Sequence, residues 1–156
     1  MKDLYNIIRE QVPTHWRVVP FWSLYKKVKF TGFSEEELLS VYRDYGVIPK
    51  SSRDDNRNVE SEDLSSYQLV DKEWLVTNKM KAWQGSIAVS KYRGIVSPAY
   101  YVYQPLHNEN SLFIHNLMRC SLYIAIYKRI SSPNIFSMCS LSFYCLLYAI
   151  LLHYRW

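Results

Sequence analysis

The sequence predicts an α+β fold: a mostly antiparallel β domain with a few helices, then a C-terminal helix and an apolar helical tail. Three observations carry this. Short apolar runs of strand length recur between Tyr67 and Tyr103, punctuated by Gly85 and Gly94, which is the spacing of antiparallel strands. A longer run at 112–130 repeats its apolar residues at helical spacing,. The tail at 135–152 holds eighteen residues without a charge.

At the N-terminus, Leu4, Ile7 and Ile8 recur at helical spacing, predicting a short helix over 3–11 that Pro13 terminates,. Residues 18–28 mix apolar side chains with Lys26 and Lys27 and read as a strand followed by a polar turn. Ser34 with Glu37 matches a capping box,. The β-favouring Val41-Tyr42 argues instead for a strand over 38–42, and the strand is preferred,. The stretch 49–66 has one Val, one Leu and no aromatic residue. It cannot build core and is expected to be a surface loop.

Three short runs follow, at 67–70, 74–77 and 86–90. A fourth, 95–103, contains Pro98, which implies an edge strand or a bulge,. The helix over 112–130 has Asn110 or Ser111 as N-cap, and Lys128 and Arg129 suit its C-terminal dipole,.

The 156 residues carry 19 Lys and Arg against 14 Asp and Glu, a formal charge of +5. That permits a polyanionic partner without specifying one. The last carboxylate side chain is Glu109, so the C-terminal part is basic and apolar. Cys120, Cys139 and Cys145 are an odd number with no Cys-x-x-Cys pair, which favours a reducing cytoplasm,. The N-terminus lacks a signal-peptide core,. His15, His107, His115 and His153 lack metal-ligand spacing, and no phosphate-binding loop or methyltransferase-like Gly-x-Gly is present,. The carboxylate runs Glu35-Glu36-Glu37 and Asp54-Asp55 read as solvated faces,.

Several motifs run in order: Val12-Pro13-Thr14-His15-Trp16; Leu38-Leu39-Ser40-Val41 with Gly46-Val47-Ile48-Pro49; Tyr67-Gln68-Leu69-Val70; Thr77-Asn78-Lys79-Met80; Trp83-Gln84-Gly85; and Gly94-Ile95-Val96-Ser97-Pro98-Ala99-Tyr100. Together they resemble the target-recognition domain of the type I restriction–modification specificity subunit. The resemblance covers about residues 12–130. It implies recognition of one half of a split site on double-stranded DNA, without intrinsic catalysis. Modification (methyltransferase) and restriction subunits would be the partners, and S-adenosylmethionine, ATP and Mg would belong to them.

Two departures stand out. Lys72-Glu73-Trp74 replaces the family's usual Gly-Asp turn, so this turn is expected to be strained,. The family's second recognition domain and two long helices are also missing from the chain. The expected organisation is therefore an incomplete recognition domain at 1–130 and a tail at 131–156 that is not family-derived, the product of a truncated or frameshifted gene. The alternative is a small tail-anchored membrane protein with a cytoplasmic globular domain. A helix over 135–152 would be about 27 Å long, close to the thickness of bilayer hydrocarbon.

DNA reading needs cations on phosphates and polar groups on base edges. The loops around 43–57 and 78–93 supply both. The candidate residues are Arg43, Lys50, Arg53, Arg57, Asn58, Lys79, Lys81, Gln84, Lys91 and Arg93. Asn78 is expected to brace a turn, Trp83 to fill core, and Tyr100, Tyr101 and Tyr103 to alternate across a sheet,.

Overall fold

A four-stranded sheet organises the chain. A computed structural model describes residues 6, 9, 10, 12–52, 63–130 and 148–152. The strands are β1 (Trp16–Pro20), β2 (Tyr25–Val28), β3 (Leu39–Tyr42), β4 (Gly46–Pro49), β5 (Gln68–Val70), β6 (Leu75–Asn78), β7 (Ile87–Val89), β8 (Gly94–Val96), β9 (Tyr100–Pro105) and β10 (Tyr148–Leu152). Two helices, α1 (Ser111–Arg119) and α2 (Ser121–Ile130), follow β9. The central sheet has the order β2-β9-β6-β7, and its pairings are antiparallel. Three further antiparallel pairs, β1–β10, β3–β4 and β5–β8, stand outside it.

Strand periodicity explains why this sheet is covered on both sides. Side chains alternate between faces, and here both alternating sets are apolar. Tyr25, Leu75, Ile87, Val89 and Tyr103 join one core with Phe21, Leu24, and the helical Ile114, Met118, Tyr123 and Tyr127. Val28, Val76, Ala88 and Val102 join a second with Leu39, Val41, Val47, Val70 and Val96. The molecule is thus helices on one face of the sheet and the β3–β4 and β5–β8 pairs on the other, with Val19 of β1 packed against the helical core, an α+β arrangement that is mostly antiparallel.

The strand over 38–42, the three runs between 67 and 90, and Asn110 as N-cap are all found where the sequence places them. The Asn110 side chain accepts from Phe113 N–H at 3.0 Å. Residues 18–28 form two strands rather than one, split by the 3₁₀ turn Phe21–Ser23. Ser34 and Glu35 lie in a turn, not a helix. The run over 95–103 is likewise two strands. Pro98 sits in the connecting turn, which Tyr100 N–H closes on Ser97 O at 3.1 Å. Proline's fixed φ suits a turn, so neither an edge strand nor a bulge is needed there. The expected strain at Lys72-Glu73-Trp74 is present: Glu73 has φ 69°.

The predicted helix over 112–130 is broken at Cys120, whose backbone is extended (φ −67°, ψ 161°). The core explains the break. Ile114 and Met118 are four apart, as are Tyr123 and Tyr127, and all four are fully buried in one core. The five-residue step from 118 to 123 would turn a continuous helix by about 140°. Breaking at Cys120 returns both apolar stripes to the same core.

The apolar tail also departs from expectation. Its described end, Tyr148–Leu152, is a strand rather than a helix and pairs with β1, from Pro20↔Tyr148 to Trp16↔Leu152. Extended pairing gives the backbone groups of β1 partners outside the central sheet. Residues 135–147 lie outside the described residues. Among those described, no helix is long and apolar enough to cross a membrane. Of the predicted helix over 3–11, Asn6, Arg9 and Glu10 are described and helical.

Candidate nucleic-acid interface

The β6–β7 connection, 79–86, is a short loop braced by its own backbone. Asn78 Oδ1 accepts from Met80 N–H at 2.9 Å and Lys81 N–H at 3.0 Å. Gln84 N–H donates to Lys81 O at 3.0 Å, and Gly85 N–H to Ala82 O at 2.9 Å. Gly85 has φ 89°, a conformation that glycine adopts without strain,. Asn78 is the turn brace the sequence suggests. Trp83 does not fill core: it is 38% exposed, and its Nε1 donates to Met80 O at 3.0 Å. The loop thereby presents Lys79, Met80, Lys81, Trp83 and Gln84 to solvent.

Beside this loop is a groove of about 590 Å³. Trp83, Gln84 and Gly85 form one wall, Arg43 and Asp44 of the β3–β4 turn another, and Arg119, Ile124 and Lys128 of the two helices the third. Three cations face one carboxylate. The guanidinium of Arg119 is oriented by His115, with Nη1 2.9 Å from Nε2. Burial lowers the His115 pKa, Arg119 and Lys91 lower it further, and a hydrogen bond with the Val89 backbone opposes them. A neutral His115 therefore accepts from Arg119 through Nε2. Burial also lowers the Arg119 pKa, and Asp44 works against that; a guanidinium stays charged at neutral pH regardless.

Of the sequence-predicted residues, Arg43 and Gln84 line this groove, and Lys79 and Lys81 lie on the loop that walls it. Lys91 is elsewhere, in a second groove of about 480 Å³ with Tyr45, Tyr92 and His115. Lys50 begins the 3₁₀ turn after β4, where its N–H donates to Leu38 O at 2.8 Å. Arg93 is held in two ion pairs. Its Nε is 2.8 Å from Glu36 and its Nη1 2.9 Å from Asp71, tying two loops together. Arg53, Arg57 and Asn58 lie outside the described residues.

Arg119 and Lys128 are groove residues that the sequence does not reveal. They are nine apart, which on a continuous helix is about 180° and places them on opposite sides. The break at Cys120 lets both reach one groove, and nothing in the helical periodicity announces it. Among the described residues, no three His, Cys, Asp or Glu side chains come together to hold a metal ion. No family model and no curated protein matches the chain.

Proposed function

We propose that this chain is a DNA-recognition module of the type I specificity kind, reading one half of a split duplex site. The observation that supports it best is the groove in which Arg43, Arg119 and Lys128 converge beside Gln84 and Trp83. Cations supply phosphate contacts, which set register without reading sequence. Gln84 has the paired donor and acceptor that match an adenine edge, and Arg43 the fork that matches guanine. Lys79 and Lys81 extend the positive surface along the adjoining loop. No chemistry falls to this chain. Methyl transfer, ATP hydrolysis and cleavage belong to modification and restriction subunits, with S-adenosylmethionine, ATP and Mg bound there.

The test is selection from a pool of random duplexes, followed by affinity measurement across a salt series. A recognition module enriches a short motif, and its log affinity falls with log salt by about 0.9 per phosphate contacted. Arg43→Ala then relaxes preference at one position, costing about 1–3 kcal/mol for the preferred base. Failure to bind any duplex at low salt, or equal binding to every sequence, would sink the proposal.

A further inference from the structure

We propose that Asp44 is a specificity-determining residue of the groove, and that with Arg43 it reads one C·G base pair of duplex DNA. The two residues belong to the short turn between β3 and β4, whose strands pair from Leu39↔Pro49 to Tyr42↔Gly46. The turn is firmly seated. A Cβ on Gly46 would stand 3.1 Å from His115 Cε1 and 3.3 Å from Ala88 Cβ, so the end of the hairpin rests against both α1 and β7. Arg43 and Asp44 are exposed, and both line the groove.

A carboxylate is out of place on a surface that only neutralises phosphates, because it repels them. Among the described residues Asp44 is in no ion pair, and it acts on Arg119 by favouring that residue's charge. Its oxygens are open to a ligand that brings hydrogen-bond donors. Base edges differ in what they offer such a group. In the major groove guanine and thymine present acceptors, and adenine sets an acceptor, N7, beside its N6 donor. Cytosine presents its N4 donor with no acceptor of its own. A carboxylate is therefore attracted by cytosine and opposed, wholly or in part, by the other three. Across the same pair, guanine presents O6 and N7, which match the donor fork of an arginine. Arg43 and Asp44 are consecutive in one turn and face one groove, so together they carry the donors and the acceptor that complement a single C·G edge.

This inference rests on the DNA-recognition reading proposed above and narrows it, since the half-site must then contain a C·G pair. The same carboxylate works against affinity. It shares the groove with Arg119 and Lys128 and lowers the positive potential that draws phosphates,. Removing it should loosen sequence preference while random duplexes bind as well as before, or better. Removing a cation that contacts phosphate does the reverse, weakening every sequence alike.

The test is selection from random duplexes by the full chain as wild type, Asp44→Ala, Asp44→Asn and Arg43→Ala, with thermal unfolding to show that each variant folds. Wild type should enrich a motif with a C·G position. Asp44→Ala should lower discrimination against T·A there by about 5- to 10-fold, the lower end of what a base-edge contact supplies, without weakening random duplexes. Arg43→Ala should relax the same position. Asp44→Asn keeps the turn chemistry should Ala disturb it, and its amide, which matches adenine N6 and N7, should admit adenine in the place of cytosine. A motif without a C·G position, or a cytosine preference that survives both Asp44 variants, overturns the role of Asp44 and leaves the DNA-recognition reading standing. Relaxation of two different positions by Arg43→Ala and Asp44→Ala overturns the shared pair. A wild-type chain that enriches no motif overturns both the reading and the inference.

Discussion

Glu73 is held at φ 69°, where an L-residue is strained, and its N–H donates to Ser90 O at 2.8 Å. The left-handed conformation costs a side-chain-bearing residue about 1–2 kcal/mol. Glycine removes that strain but loses about 0.4–1 kcal/mol through the freer unfolded chain. Strain relief outweighs the entropy lost, so Glu73→Gly should stabilise the fold by about 0.5–1 kcal/mol, read as a higher denaturant midpoint at unchanged slope. A lower midpoint would show that the carboxylate contributes more than the backbone loses. Gly94 is the opposite case. A Cβ there would run into the Glu37 carbonyl and come within 2.7 Å of Leu39 Cγ. Ile95 N–H, one residue on, donates to that same carbonyl at 2.8 Å. Neither neighbour can withdraw without opening the contact between β3 and β8. Gly94→Ala should therefore cost about 3 kcal/mol, at the upper end of ordinary overpacking, and thermal unfolding measures it directly. Two arginines that look alike in sequence also differ at this scale. Arg43 opens onto the groove, whereas Arg93 is paired with Glu36 and Asp71, so on the proposed DNA-recognition reading Arg93→Gln should weaken duplex binding less than Arg43→Ala does.

At the scale of elements, what is legible in the sequence follows from local chemistry. β5, β6 and β7 are short apolar runs between turn residues, and each is a strand. Asn110 precedes a helix and caps it. Replacing it by Ala leaves Phe113 N–H without its acceptor and should cost about 1 kcal/mol,. Circular dichroism would show the loss on α1, and retention of wild-type stability would mean the cap is dispensable. What is not legible depends on contacts between distant elements. Residues 112–130 are helical in propensity throughout, and the shared core forces the break at Cys120. That break also determines the candidate site. Arg43 and Gln84 stand out in sequence as polar residues in predicted loops. Arg119 and Lys128 become groove residues only once two helices replace one. Trp83 escapes sequence logic for a related reason: its size suggests core, but its indole N–H is satisfied by Met80 O within the loop. The end of the tail does so because an apolar run without charges is equally compatible with helix and strand. The partner that makes 148–152 a strand is β1, roughly 130 residues away.

At the scale of the whole molecule, the central sheet is buried on both faces, and two histidines sit partly inside the helical side of that arrangement. His107 packs edge-on against Tyr25, with ring centroids 4.8 Å apart. Its Nδ1 accepts from Glu109 N–H at 3.1 Å, which leaves the proton on Nε2, a buried atom with no hydrogen-bond partner among the described residues. His115 accepts from Arg119 between α1 and the sheet. Burial lowers the pKa of both below the ordinary 6.5. A lowered histidine pKa means the unfolded chain binds the proton more readily. Above the ordinary 6.5 both states are neutral there and nothing is lost. As pH falls below that value the unfolded state gains protons first, so stability declines until the lower folded-state pKa is reached, and then levels off. For His115 the added proton also abolishes the acceptor that orients Arg119 and places a second cation against it, so acid loosens the groove wall together with the fold. Denaturant midpoints between about pH 8 and about pH 5 should fall on the acid side, and His115→Gln, which keeps an acceptor but cannot titrate, should make the decline shallower. His107→Asn, which keeps an acceptor for Glu109 N–H, should remove the other contribution. A double variant as steep as wild type would place the acid sensitivity in the carboxylates instead.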